Sequence, residues 1–89
     1  MLIPELITAA KKTSGLKYNQ MAEELHVTPS TFTAWKKGEY KPSPSEIAYL
    51  AEKAQLSVFE TIAEIEAQQR PELAELWKRA VRQLRQNQG

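Results

Sequence analysis

The chain has 89 residues, no cysteine and a formal net charge of +1. A chain of this length folds as one small domain, and without cysteine it has neither a disulfide framework nor a cysteine-based zinc site. No apolar run approaches the ~18 residues of a membrane-spanning helix, and the first residues lack the basic leader of a signal peptide. We therefore expect a cytoplasmic protein with no membrane partner.

The small net charge conceals a segregation of charge along the sequence. In residues 1–43 six lysines face four glutamates, whereas in residues 44–69 one lysine faces five glutamates. From residue 70 onward five basic side chains face two glutamates. This pattern is typical of a protein that presents a basic side to a polyanion and keeps an acidic side away from it.

The first predicted element, helix 1, runs from about Pro4 to Thr13. Proline is favourable in a first helical turn, and the Ser14-Gly15 pair supplies the glycine that commonly follows a helix end. The apolar residues of helix 1 recur at helical spacing, and we expect the face that they form to be buried. These residues are Leu2, Leu6, Ile7 and Ala10.

Two short helices then meet across a tight turn. Helix 2 is predicted at Tyr18–Leu25 and helix 3 at Pro29–Lys37, with Thr28 as the N-cap of helix 3 and Gly38 just past its end. His26 is interpreted as a turn residue at positive φ, and without a second histidine or any cysteine we predict no metal site. The apolar residues expected to hold the two helices together are Met21, Ala22, Leu25, Val27, Phe32 and Trp35.

The next two helices each begin with the sequence signature of a capping box. Helix 4 covers about residues 44–54, and helix 5 ends at the Arg70-Pro71 pair, because the residue before a proline is disfavoured in the α region. In a capping box a serine hydroxyl and the glutamate three residues later cap the helix reciprocally. The expected boxes are Ser43 with Glu46 and Ser57 with Glu60.

Helix 6, from Pro71 to about Gln86, is strongly amphipathic. Its apolar stripe consists of Leu73, Leu76, Trp77, Ala80, Val81 and Leu84. Nowhere in the chain do apolar and polar residues alternate strictly over four or more positions, as they would in a half-buried strand. The predicted fold class is therefore all-α.

From Leu16 to Pro42 the sequence resembles the lambda-repressor-like, or XRE-type, helix-turn-helix family. The residues that fill the family's pattern at its spacing are Ala22, Val27, Phe32, Trp35 and Gly38. The following residues resemble the fourth and fifth helices of that family, so the resemblance implies a five-helix DNA-binding domain over residues 1–69. Residues 70–89 form an additional C-terminal helix, similar to the tails of small phage-encoded regulators.

The sequence departs from the family pattern at three positions. Tyr18 stands where a glutamine that contacts the DNA backbone is common, His26 replaces the common turn glycine, and Lys36 replaces a common glutamate. The lysine raises the positive charge at the end of helix 3, which favours phosphate binding.

The resemblance implies that helix 3 enters the major groove of DNA, which is about 12 Å wide. The residues expected to read bases have short side chains: Pro29, Ser30, Thr31, Thr33 and Ala34. None is an arginine, asparagine or glutamine, so we expect hydroxyl contacts and apolar contacts with thymine methyl groups, and modest discrimination per base. The residues expected at phosphates are Lys17, Tyr18, Asn19, Lys36, Lys37, Tyr40 and Lys41.

A single helix of this kind reads only a few base pairs, so a repressor is expected to act as a homodimer, with recognition helices about 34 Å apart on a palindromic operator. The dimer contacts are expected from helices 5 and 6, through Phe59, Ile62, Ile65, Leu73, Leu76, Trp77, Val81 and Leu84. The alternative is that helix 6 covers the core of one copy. The opposite, basic face of helix 6 is either solvated surface or a second DNA contact.

The sequence thus predicts a sequence-specific transcriptional regulator that binds double-stranded DNA, a phage- or prophage-type repressor of the bacterial cytoplasm or nucleoid. No cofactor is expected. An enzyme is not expected either, because the sequence has no glycine-rich phosphate loop and no motif that joins a nucleophile to a base. The alternative is a protein-interaction module, an antitoxin or a phage factor that binds a host regulator, in which helices 5 and 6 dock the partner.

Overall fold

The described part of the chain, residues 1–87 of a computed structural model, is helical and contains no strand. The all-α prediction is confirmed for these residues, and α2 and α3 have the predicted bounds. The elements are α1 (Ile3–Ser14), α2 (Tyr18–Leu25), α3 (Pro29–Lys37), α4 (Pro44–Lys53), α5 (Val58–Gln69), a 3₁₀ turn (Pro71–Leu73) and α6 (Ala74–Asn87).

Residues in the left-handed backbone conformation end the first three helices. Gly15 follows α1 with φ 74°, and Gly38 follows α3 with φ 77°. His26 follows α2 with φ 59°, which confirms the turn conformation expected of it. The backbone N–H of Val27 donates to the carbonyl oxygen of Ala22 at 2.9 Å and closes the turn between α2 and α3.

The helix N-termini follow the predicted capping only in part. At α4 the box is complete: the N–H of Glu46 donates to the Ser43 hydroxyl at 3.3 Å, and the N–H of Ser43 donates to the Glu46 carboxylate at 2.8 Å. At α5 the Ser57 hydroxyl accepts from the N–H of Glu60 at 3.5 Å, but the glutamate does not reciprocate. Its carboxylate instead accepts from Arg85, whose charge makes it the stronger donor.

Thr28 occupies the N-cap position of α3 without capping it through its side chain. Its backbone is extended, as an N-cap requires, but its hydroxyl lies 2.8 Å from the Ser30 hydroxyl and forms a hydrogen bond with it. The prediction of Thr28 as the N-cap residue is therefore confirmed by its position and backbone, while its hydroxyl is engaged by a neighbouring hydroxyl instead of the helix backbone.

The core draws on the first five helices. Phe32 and Trp35 meet edge to face, with ring centroids 5.1 Å apart, so the expectation that Trp35 is a core residue is confirmed. Leu2 is exposed, contrary to expectation, because it precedes α1 as its N-cap. The buried cluster consists of Leu6, Ile7, Ala10, Met21, Ala22, Phe32, Trp35, Ile47, Leu50, Ala54 and Ile65.

The last helix lies outside this cluster. It packs against α5 and the 3₁₀ turn, and none of its residues is buried. Residues 71–73 form a 3₁₀ turn where the first turn of an α-helix was predicted, directly after Arg70 leaves the helical region at φ −132°. Among residues 1–87 no helix combines the length and the apolar character that crossing a bilayer requires.

Candidate nucleic-acid interface

The exposed face of α3 carries short side chains. Pro29, Ser30 and Thr33 are exposed, whereas Thr31 and Ala34 are half-buried. The opposite face is fixed in the core by the two buried aromatic residues of α3. The five residues predicted to read bases therefore lie on a helix that the core holds in place. The groups that they offer to a ligand are hydroxyls, methyl groups and a proline ring.

Tyr18 joins the start of α2 to the end of α3. Lys36 Nζ donates a hydrogen bond to the Tyr18 hydroxyl at 3.0 Å and lies 4.2 Å from the centroid of the Tyr18 ring. The Tyr18 ring also packs towards the core, since its centroid lies 5.8 Å from the centroid of the buried Phe32 ring. Two residues of the predicted phosphate-binding set are thus brought together, and the tyrosine holds the lysine through its hydroxyl and its ring.

The remaining predicted phosphate-binding residues differ in what holds them. Lys17, Asn19, Lys37 and Tyr40 are exposed. Lys41 Nζ, in contrast, donates to the carbonyl oxygen of Gln69 at 3.0 Å. That carbonyl belongs to the last turn of α5, the negative end of the helix dipole, where a lysine is favourable. The structure therefore gives Lys41 an intramolecular partner that its position in the sequence did not indicate.

The lysines of residues 1–43 share an absence of carboxylate partners among the described residues. The ion pairs among the described residues join Glu64 to the Met1 amino group, Glu24 to Lys53 at 3.8 Å, Glu75 to Lys78 at 3.3 Å and Glu60 to Arg85 at 3.1 Å. Within residues 1–87, none of these pairs neutralises Lys11, Lys12, Lys17, Lys36, Lys37 or Lys41. The positive charge of the first three helices is therefore available to an external anion.

A polar contact behind α2 was missed by the sequence reasoning. The Tyr49 hydroxyl of α4 donates a hydrogen bond to the Glu24 carboxylate of α2, and Lys53 lies 3.8 Å from the same carboxylate. Burial, followed by this hydrogen bond and the charge of Glu24, raises the pKa of Tyr49 well above its ordinary value. The contact ties α2 to α4, and no spacing in the sequence links two residues 25 positions apart.

The residues predicted for dimerisation separate into buried and accessible sets. Ile65 is fully buried in the core of one copy and therefore cannot contact a second copy. Ile62 is partly buried and packs against the same core. This part of the expectation is wrong, because α4 covers that face of α5. The accessible members are Phe59, Leu73 and Leu76, which are 37%, 36% and 49% exposed.

Helix α6 lies along α5 and encloses a groove with it. The Phe59 and Trp77 rings meet edge to face with centroids 6.2 Å apart, while Val81 and Leu84 are half-buried. The groove has a volume of about 690 Å³, and its lining combines apolar side chains, among them Ala63 and Ala67, with charged ones, among them Lys78 and Arg82. One helix face thus partly covers α5 and still leaves apolar surface open.

No family model matches the chain, and comparison with curated proteins and with solved structures likewise gives no match.

Proposed function

We propose that the protein is a sequence-specific transcriptional regulator of the lambda-repressor-like helix-turn-helix type, a small phage or prophage repressor that binds double-stranded DNA as a homodimer in the bacterial cytoplasm. The observation that carries the proposal is the absence of carboxylate partners, within the described residues, for the six lysines that surround α2 and α3. Lysines without a carboxylate partner, on and near a helix with one exposed face, attract a polyanion.

Affinity in this proposal comes mainly from phosphates. Lys36 is held by Tyr18 at the end of α3, and Lys17 and Asn19 stand exposed at the start of α2. Contacts on both sides of a recognition helix fix its register on the duplex, and each neutralised phosphate steepens the salt dependence of binding by about 0.9 in log–log slope.

Base reading is assigned to the exposed face of α3. Ser30 and Thr33 offer hydroxyls, and Pro29, Ala34 and the Thr33 methyl group offer apolar contacts to thymine methyl groups. None of these side chains makes the bidentate contacts that distinguish guanine or adenine strongly. We therefore expect half-sites that contain thymine and a modest penalty for each changed base pair.

Dimerisation supplies the selectivity that one such helix lacks. The apolar side chains left open on α5 and α6, with Leu76 the most exposed, are assigned to contact with a second copy. A two-fold axis through this surface would present two copies of α3 to successive major grooves on one side of the DNA.

The test is selection of binding sites from random duplexes, followed by a gel shift of the selected site at increasing salt. The proposal expects a palindromic, thymine-containing consensus and a linear fall of log K with log salt concentration. Absence of retardation at low salt, or a consensus dominated by guanine, would overturn it. Lys36→Gln should weaken binding to every sequence alike, with Arg79→Gln on exposed α6 as the charge-matched control.

A second candidate is a protein-interaction module, an antitoxin or a host-regulator-binding factor. The observation in its favour is the groove of about 690 Å³ between α5 and α6, together with the apolar residues beside it. This candidate expects no specific DNA retardation and a heteromeric complex that Leu76→Gln weakens, so the gel shift distinguishes the two functions.

A further inference from the structure

A second basic feature lies where the end of α1 meets the start of α2. It is a groove of about 430 Å³ whose lining includes Lys11, Lys12 and Lys17, the Thr8 side chain and Gly15, with no carboxylate among the described residues. None of the three lysines forms an ion pair with a described carboxylate. Three like charges therefore share one concave surface without compensation.

The placement of Lys17 makes this surface electrostatically unfavourable in the absence of an anion. Lys17 is the N-cap residue of α2, a position that serine, threonine, aspartate or asparagine usually occupies. It provides no side-chain cap, and its charge stands at the positive end of the helix dipole. Lys11 and Lys12, in contrast, stand at the negative end of α1, where cations are favourable. The helix dipole therefore explains the positions of Lys11 and Lys12 but not the position of Lys17.

The groove is continuous with the candidate interface through Tyr18, which also lines it. Lys11 Nζ lies 5.1 Å from the centroid of the Tyr18 ring, and Lys36 Nζ lies 4.2 Å from the same centroid. One aromatic ring thus stands beside a lysine of α1 and a lysine of α3. An anion in the groove would lie on the flank of the surface formed by α2 and α3.

We propose that this lysine groove binds a backbone phosphate of the same DNA duplex that α3 reads, with Lys11 and Lys12 as contacts in addition to Lys17. The inference rests on the proposed DNA-binding function and extends its footprint to the end of α1. The ligand is a phosphodiester held in a duplex, because the groove is open and lysines bind phosphate as point charges without selecting a base.

The experiment measures DNA affinity against salt concentration for the wild type, the Lys11→Gln/Lys12→Gln variant and the single variants Lys12→Gln and Arg79→Gln. Loss of one phosphate contact in each copy should reduce the log–log slope by about 0.9 per copy, or about 1.8 for the bound homodimer, in the double variant. Affinity should fall roughly tenfold per copy at moderate salt, the size expected for one charge-assisted contact. Arg79→Gln, an exposed change that removes one charge as Lys12→Gln does, should leave the slope unchanged.

Ethylation of DNA phosphates locates the contact. One phosphate in each half-site should be found whose ethylation inhibits binding of the wild type but no longer affects the double variant. At constant ionic strength, replacing chloride by inorganic phosphate should lower the DNA affinity of the wild type more than that of the double variant, because free phosphate competes with the duplex for the groove; an equal effect on both would overturn the groove assignment.

The outcomes separate this inference from the proposed function. If the wild type binds its selected site and the double variant keeps the same slope and ethylation pattern, the groove assignment is wrong and the DNA-binding function stands. If the wild type does not bind DNA at low salt, both are wrong. Thermal unfolding of the double variant, monitored by circular dichroism, confirms that the fold is retained in each comparison.

Discussion

Tyr18 shows how a single departure from a family pattern can acquire a different task. A glutamine at this position would offer an amide to the DNA backbone, whereas the tyrosine ring packs towards Phe32 and its hydroxyl accepts from Lys36. In the proposed complex, the lysine that Tyr18 orients would make the phosphate contact in place of residue 18. Fixing a flexible lysine before binding reduces the side-chain entropy lost in the complex.

Tyr18→Phe tests this orienting contact. The variant loses the 3.0 Å hydrogen bond to Lys36 and retains the ring beneath the ammonium group. We expect DNA affinity to fall about three- to tenfold for each copy bound, since a lysine that is not fixed beforehand costs about 0.5–1.5 kcal/mol to immobilise on binding, with the salt slope unchanged because no charge is lost. Fluorescence anisotropy over a salt series measures both. A slope that falls as it does in Lys36→Gln would contradict the assignment.

Tyr49 makes the stability of the fold sensitive to alkaline pH. Its pKa is raised in the folded protein, first by burial and then by the hydrogen bond to Glu24, whereas in the unfolded chain it titrates near ~10. The folded state therefore retains a proton that the unfolded state releases, and this contribution to stability is present below pH ~10 and is lost as the pH rises above it.

Urea unfolding at neutral pH and above pH ~10 measures this effect. Tyr49→Phe should lower the free energy of unfolding by about 1 kcal/mol at neutral pH through the lost hydrogen bond. Between neutral and alkaline pH, the free energy of unfolding of Tyr49→Phe should also decrease less than that of the wild type. Tyr40→Phe, at an exposed tyrosine, is the control. An equal alkaline decrease in Tyr49→Phe and wild type would exclude Tyr49 as the responsible group.

The turn between α2 and α3 depends on a histidine in a conformation that suits glycine. His26 has φ 59° and is exposed, so its side chain contributes little packing. His26→Gly should stabilise the fold by about 0.5–1 kcal/mol, the net of the relieved left-handed strain and the larger entropy of glycine in the unfolded chain. His26→Val should destabilise it by ~2 kcal/mol, because a β-branched residue is an outlier at positive φ.

The unfolding midpoint in urea ranks these variants, with His26→Asn as the control that should behave like the wild type, since asparagine also tolerates this conformation. If glycine and valine were equally stable here, the turn geometry would be wrong. DNA binding should follow stability only, since His26 is assigned no contact.

The elements that could be predicted from sequence are those whose determinants are local. The end of α2 at His26 and the capping box of Ser43 each depend on residues within one helical turn. The second capping box could not be predicted, because Arg85 lies 25 residues from Glu60 and competes for its carboxylate only after α6 packs on α5. The same limit applies to the site: the face of α3 follows from spacing, whereas the partners of Lys36 and Lys41 follow from the fold.

At the scale of the whole molecule, α6 determines what one copy leaves exposed. The helix covers part of α5 through Trp77 and Phe59, yet it buries none of its own residues. Leu73 and Leu76 remain exposed, at 36% and 49%. The helix thus covers its own chain incompletely. Dimerisation stays a prediction, in which a second copy would bury the uncovered apolar surface.

Leu76→Gln tests this arrangement without disturbing the core. Leu76 is 49% exposed, so the folded monomer should lose less than about 1 kcal/mol, whereas a two-fold dimer carries the change twice and loses two apolar contacts. We expect the dimer dissociation constant, measured by sedimentation equilibrium, to rise at least ~tenfold. Leu2→Gln changes a leucine that is 59% exposed, directly before α1, and should leave self-association unchanged.

The same variant connects assembly to DNA reading. The affinity of Leu76→Gln for the complete palindrome should approach the wild-type affinity for an isolated half-site. The reason is that the palindrome is bound more tightly than a half-site only when two copies of α3 are linked in a dimer. Affinity for the half-site itself should not change. A wild type that is monomeric at micromolar concentration and binds the palindrome no better than the half-site would assign the apolar surface of α5 and α6 to a different partner.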